Sequence, residues 1–89
     1  MTDRTTHFVY IAECADGSFY TGYTTDVKRR IAEHNDGAGA KYTQPRRPVT
    51  LVYHEEYRTK SAAMSREYEI KQQSRSTKER LINAQPPSE

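Results

Sequence analysis

Cysteine is almost absent from this 89-residue chain; Cys14 stands alone. No internal disulfide can form, which fits a reducing compartment. A single cysteine inside an apolar run reads as a small buried hydrophobe rather than a nucleophile. No histidine or cysteine pairs show the spacing of a zinc site. Long hydrophobic runs are missing too. Met1 to His7 carries no apolar stretch, so neither a signal peptide nor a membrane span is expected, and the default compartment is the cytoplasm. Without repeats or internal linkers, the chain should form one small domain over residues 5–83, with residues 84–89 a flexible C-terminal tail. Strong charge of one sign is also lacking. The net charge is +2 and the pI about 8.8, a balance too mild to point to nucleic acid by itself.

The hydrophobic fraction is 34% against 29% charged residues, polar for a globular protein. A chain this short buries only about 60–65% of its unfolded surface. Seven tyrosines offset part of that shortfall, since each buries apolar area and keeps one polar end. The basic residues are not evenly spread. Lys28, Arg29 and Arg30 are contiguous, Lys41, Arg46 and Arg47 share one loop, and the C-terminal third is rich in Lys and Arg with acids between them. That last interleaving suits solvated helix faces.

His7 to Cys14 reads as a strand with Val9 and Ile11 on one face and Phe8, Tyr10, Ala12 and Cys14 on the other. Ala15-Asp16-Gly17 is turn chemistry, and Ser18 to Thr24 completes a hairpin. The loop length decides which tyrosines meet. A two-residue loop would pair Tyr20 with Glu13 and send it to the face opposite Tyr10. A three-residue loop would pair Tyr20 with Ala12, leaving Tyr20 and Tyr10 as diagonal neighbours. Glycine in the third loop position favours the longer form. A helix follows over about Asp26 to Asn35, capped by Thr24 or Thr25, anchored by Val27 and Ile31 and stopped at Gly37. Arg30 and His34 are four apart on one face of it. After a loop over 36–48, Val49 to Tyr57 reads as a third strand with Val49, Leu51, Tyr53 and Tyr57 on one side and Val52 on the other. Ser61 should cap a helix to about Ser74 with an inward stripe of Ala63, Glu67, Ile70 and Lys71. Ser76-Thr77-Lys78-Glu79 fits a capping box before a short helix to Asn83.

Chemistry concentrates at a few positions. Glu67 lies on the apolar stripe, where a carboxylate is expensive unless paired or bound to a cation. A salt bridge with Lys71 or Arg30 would satisfy it. So would Mg²⁺ or Mn²⁺, which binds through one carboxylate, several waters and a substrate phosphate. Arg30 has the fork that grips phosphate, and His34 can relay a proton near neutral pH, although both would also suit an ordinary solvated helix face. Tyr10 and Tyr20 are good strand residues, yet near a cation a phenol can shed its proton and activate water. The loop Lys41-Tyr42-Thr43-Gln44-Pro45-Arg46-Arg47 carries cations and one aromatic ring, which suit phosphate contact and base stacking.

Taken in order, these positions resemble the GIY-YIG nuclease family. The first motif reads Phe8-Val9-Tyr10 and keeps the tyrosine. The second, Tyr20-Thr21-Gly22, keeps tyrosine and glycine. Val27 to Asn35 is similar to the family's helix, with its arginine ten residues beyond the second tyrosine, and Ala63 to Glu67 matches the segment with the metal-binding glutamate. The resemblance covers about residues 7 to 83 and is closest to the small stand-alone members. It implies an α+β fold, a three-stranded mixed or antiparallel sheet flanked by helices. It implies hydrolysis of DNA with one divalent metal, Mg²⁺ or Mn²⁺, in repair or recombination. Water would be activated by Tyr10 or Tyr20, Arg30 would stabilise charge on the phosphate, His34 would complete the site, and Glu67 would hold the metal. Two positions depart from the pattern: Asn83 is the one late asparagine, and Tyr23 stands where some repair members carry lysine. With no second DNA-binding domain, target choice would fall to a partner protein that delivers the domain. The reading that competes with the nuclease is a non-catalytic nucleic-acid-binding module on the same scaffold.

Overall fold

The central strand of the protein is hydrophobic on both sides, and that dictates the architecture. The computed structural model describes residues 5–84. Its elements run β1 (His7–Glu13), β2 (Phe19–Thr24), α1 (Val27–Asn35), a 3₁₀ turn at Gln44–Arg46, β3 (Thr50–Tyr57), α2 (Lys60–Lys71) and α3 (Arg75–Ala84). The sheet order is β2-β1-β3, and both pairings are antiparallel; of the two sheet types expected, mixed is ruled out. Most of the residues expected in the two loose ends lie outside those described.

Because β1 sits between two strands and two helical layers, Val9, Tyr10, Ile11 and Ala12 are all buried. Val9 and Ile11 pack on Ala63 and Ile70 of α2, with Leu81 and Ile82 of α3 against them. Tyr10, Ala12, Cys14 and Val49 form the second cluster, closed by Tyr20, Leu51 and Ile31 of α1. Each fully buried aliphatic side chain, such as Val9, Ile11 or Ile70, contributes roughly 1.5–3 kcal/mol. Cys14 is a buried free thiol, as expected of a small hydrophobe.

The third strand departs from simple alternation. Ile11 faces Tyr53 while Ala12 faces Leu51, so Val52 is an extra residue in β3. This bulge divides a set expected on one side. Val49 and Leu51 join the Tyr10 face, whereas Tyr53 and Tyr57 join the opposite face together with Val52. There Glu55 accepts hydrogen bonds from Tyr53, from Tyr57 at 2.5 Å and from Arg66 Nε and Nη2 at 2.9 and 3.0 Å. Burial alone would raise the Glu55 carboxyl, but the Arg66, Tyr53 and Tyr57 hydrogen bonds outweigh it and hold it below the usual carboxylate range.

The helix starts also move. Asp26, not Thr24 or Thr25, caps α1 by accepting from the Arg29 amide at 3.1 Å. Thr59, not Ser61, caps α2 through the Ala62 amide at 3.1 Å. At α3, Ser74 accepts from the Thr77 amide at 3.2 Å, two residues ahead of the expected capping box. Lys71 is not inward: 45% of its side chain is exposed. Among the described residues, no helix is long and apolar enough to cross a membrane.

Candidate active site

The hairpin loop brings the first two site residues together. Cys14 and Ser18 pair through a 2.8 Å backbone hydrogen bond, leaving Ala15, Asp16 and Gly17 as a three-residue loop with Gly17 at φ 85°. Ala12 therefore faces Tyr20, and Tyr10 faces Gly22, so the two phenols share a face with ring centroids 6.3 Å apart. Tyr10 lies across Gly22 so closely that a Cβ there would stand 2.5 Å from the Tyr10 hydroxyl. The glycine of the second motif is thus the floor beneath the first tyrosine.

Helix α1 supplies the next two. The residue it buries completely is His34, not the expected anchors Val27 and Ile31, which stay partly exposed. His34 Nε2 lies 2.7 Å from the Tyr10 hydroxyl, and the Tyr20 ring lies edge-on to the imidazole at 5.2 Å. The other imidazole nitrogen, Nδ1, lies 2.8 Å from Thr43 Oγ1. Gly39 presses on the same ring, since a Cβ there would sit 2.2 Å from Nδ1. Arg30, one helical turn earlier, keeps 30% of its side chain exposed and bonds to Glu33 at 3.0 Å.

Glu67 comes from α2 with only 14% of its side chain exposed, so it does face inward. Of the two salt-bridge partners expected for it, Lys71 is the one found, at 3.4 Å; Arg30 is engaged with Glu33 instead. Glu69 points out, 64% exposed.

The electrostatics converge on the Tyr10 oxygen. Burial, with Tyr20 next, pushes the phenol up to about 12; the Arg30 guanidinium beside the hydroxyl pulls it down, and the Glu67 carboxylate pushes it up again. Burial first, then the Arg30 charge, hold His34 below the usual imidazole range. Ring contacts bring Tyr10, Tyr20 and His34 together, while Arg30 and Glu67 act on Tyr10 through their charges. As a cation site this is sparse. Among the described residues, no group of three or more His, Cys, Asp or Glu is placed to share an ion. One inward carboxylate with an open flank does suit an ion that keeps waters and takes phosphate oxygens, the habit of Mg²⁺.

The 41–47 loop, expected to touch nucleic acid, contributes one residue to the site whose role sequence patterns passed over, Thr43. Thr43 is fully buried. Tyr42 stacks on Tyr20 at 6.2 Å, and the Arg46 guanidinium lies over its ring at 4.0 Å. Arg46 also bonds to Asp16 at 3.1 Å, and Arg47 to the Gln44 carbonyl at 2.8 Å. These two cations hold the loop in place, while Lys41 and Tyr42 stay exposed. The clue to Thr43 and Gly39 was only their position, a small residue and a hydroxyl following a histidine-bearing helix.

The sequence model of the GIY-YIG catalytic domain matches residues 6–80. The chain belongs to the GIY-YIG family. The family's nuclease fold is the one seen here, and its substrate class is nucleic acid. A UPF0213 protein of Halobacterium salinarum is 64% identical over 76 residues, 85% of this chain and 99% of that protein. A UPF0213 protein of Staphylococcus aureus is 63% identical over 85% of this chain and 93% of its own. These relatives are small stand-alone GIY-YIG domains. Among solved structures, the UPF0213 protein of Bacillus halodurans shares 55% identity with a TM-score of 0.57, covering 88% of this chain and 83% of its own. A protein from E. faecalis shares 39% identity with a TM-score of 0.63 over 100% of this chain and 98% of its own.

Proposed function

We propose that this GIY-YIG protein is a divalent-metal-dependent endonuclease that hydrolyses DNA phosphodiester bonds, acting in the cytoplasm in repair or recombination, with residues 5–83 as its catalytic domain. The observation that carries this reading is the 2.7 Å contact between Tyr10 and His34, in a spot where Arg30 and Glu67 both act on the phenol. A phenol with a neutral imidazole on it has an acceptor for its proton, which is what a water-activating tyrosine needs.

The proton rests on Tyr10 when the site is at rest. With the phenol at about 12 and His34 below its ordinary 6.5, transfer to the imidazole is uphill at rest. Positive charge at the Tyr10 oxygen lowers that barrier. Arg30 supplies part of it, and its partly exposed fork, held by Glu33 through Nη1, has further donors for a phosphate oxygen. Glu67 would hold Mg²⁺ or Mn²⁺, which supplies further positive charge and polarises the phosphate when bound. Tyr20, half-buried between His34 and Tyr42, lines the approach.

The test is nicking of plasmid and branched DNA with Mg²⁺, Mn²⁺ or EDTA, beside Glu67→Ala and Arg30→Ala. Metal-dependent nicking by the wild type alone, with both variants folded, is the expected result. Binding at ~50 mM salt, where phosphate contacts are strong, without cleavage of any substrate would replace the enzyme with a binding module.

A further inference from the structure

We propose that Thr43 is a positioning residue, holding His34 in the tautomer protonated on Nδ1 so that Nε2 is free to take the Tyr10 proton; this deepens the nuclease reading above. Tyr10, His34 and Thr43 form one buried hydrogen-bonded chain, and one end of it has a fixed polarity. At that end Thr43 Oγ1 lies 3.0 Å from the Ala40 carbonyl. A carbonyl only accepts, so the single hydroxyl proton of Thr43 goes to it.

From that end only one arrangement satisfies each atom. Thr43 Oγ1, having donated to Ala40, accepts from Nδ1–H across 2.8 Å. The neutral imidazole then has a bare Nε2, which accepts the Tyr10 O–H across 2.7 Å. In the opposite tautomer Nε2–H would donate to Tyr10, and the phenol would face no base. When Tyr10 is deprotonated, its proton moves from Oη to Nε2, leaving a phenolate and an imidazolium whose Nδ1–H stays on Thr43. Both donors of the imidazolium are then satisfied within the chain.

The loop is built to keep Thr43 there. Thr43 is 0% exposed, its amide bonds to the Ala40 carbonyl at 3.2 Å, and Gly39 lets the loop backbone close on the imidazole. Thr43→Val conserves shape and removes the hydroxyl, the acceptor for Nδ1–H and one donor to the Ala40 carbonyl. The Ala40 carbonyl keeps the Thr43 and Gln44 amides as donors, each at 3.2 Å.

The experiment is imidazole ¹⁵N NMR on the full chain at neutral pH, without metal or DNA, for wild type, Thr43→Val and Thr43→Ser. His34 is assigned among the three histidines by its loss in His34→Gln. The expected result is Nδ1–H with bare Nε2 in wild type and Thr43→Ser, and a move toward Nε2–H in Thr43→Val. A wild-type His34 protonated on Nε2, or a tautomer unmoved by Thr43→Val, overturns the proposal. In the nicking assay Thr43→Val should lower kcat by at least about tenfold with KM within about twofold, and Thr43→Ser should restore it, because general-base assistance contributes on the order of 10²–10⁴. Full activity in a folded Thr43→Val also overturns it. Should no DNA be cut by the wild type, the nuclease reading falls while the tautomer result still decides this proposal. Should Thr43→Val not fold, wild type and Thr43→Ser decide it through the spectrum.

Discussion

Gly22→Ala is the substitution for which the structure makes the sharpest forecast, because its sign opposes the usual one. Alanine in place of a strand glycine is ordinarily favourable by about 0.5–1 kcal/mol, since the unfolded chain loses freedom. Here the new Cβ would sit 2.5 Å from the Tyr10 hydroxyl, 2.7 Å from Cζ and 2.9 Å from Cε1. Tyr10 is only 1% exposed, so the ring has no solvent to move into. Overpacking of this kind costs roughly 1–3 kcal/mol. The displaced hydroxyl also leaves His34, losing a hydrogen bond of roughly 0.5–1.5 kcal/mol. After the alanine gain is set against these, the net loss is about 0.5–4 kcal/mol, with a midpoint near 2 kcal/mol. In a domain of this size a loss of about 2 kcal/mol lowers Tm by roughly 8–16 °C.

Urea titration followed by circular dichroism measures the loss, and a second substitution isolates its cause. Tyr10→Phe alone strands Nε2 of His34 and should cost about 1–3 kcal/mol. In the Gly22→Ala background the same change removes the atom nearest the new Cβ. Its cost should shrink by at least about 0.5 kcal/mol, a coupling of the size neighbouring residues show. A Gly22→Ala protein as stable as wild type, or strictly additive with Tyr10→Phe, refutes the placement of the ring over Gly22.

Arg66→Ala should remove about 2–3 kcal/mol at pH 7, the range for hydrogen bonds to a charged group, because Glu55 loses its two guanidinium contacts. Glu55 titrates below its ordinary 4.5 when folded, so its contribution is present above that pH and is lost as pH falls through the folded value; the gap between wild type and Arg66→Ala in urea midpoints should narrow at pH 3, and a gap independent of pH would reject this pair. Asp26→Ala should cost about 1 kcal/mol through the lost cap, a fall in Tm of roughly 4–8 °C, with Asp26→Asn close to wild type; an unchanged melt would reject Asp26 as the cap. Tyr42→Ala, in a Glu67→Ala background, should weaken DNA binding roughly tenfold by fluorescence anisotropy, since a stacked base contributes about 1–3 kcal/mol, while Tyr42→Phe keeps the affinity; equal affinity for all three would remove Tyr42 from the interface.

The hairpin register was legible because one residue decides it. Glycine at the third loop position, now found at φ 85°, selects the loop that sets Tyr20 opposite Ala12. Glu67 was legible for a similar reason: helical period places it on the line from Ala63 to Ile70, both 0% exposed. The bulge at Val52 was hidden because alternation assumes an unbroken ladder, and nothing local in Leu51-Val52-Tyr53 breaks it. Caps were misplaced for lack of contrast. Thr24-Thr25-Asp26, Thr59-Lys60-Ser61 and Ser74-Arg75-Ser76 each hold more than one competent capping residue, and packing of the following helix chooses between them. Thr43 was invisible because its role depends on a contact nine residues back to His34, across a loop with no period to read.

Burial divides the site into two sets that should answer differently to substitution. Tyr10 and His34 are 1% and 0% exposed; each is a core residue and a chemical group at once. Arg30, Tyr20 and Glu67 retain partial exposure, so a phosphate, or for Glu67 a cation, can reach them without rearrangement of the core. Removing a side chain from the first set opens a cavity or strands a buried polar atom, and stability must fall along with turnover. Removing one from the second set exposes little that was hidden, so turnover can fall while the melt barely moves. In the proposed nuclease, stability and chemistry thus rest on the same two residues. That coupling explains why a side chain at either of the glycines beneath them, Gly22 and Gly39, is costly: each abuts a ring that cannot move without loosening the fold and breaking the contact on which the proposed chemistry depends.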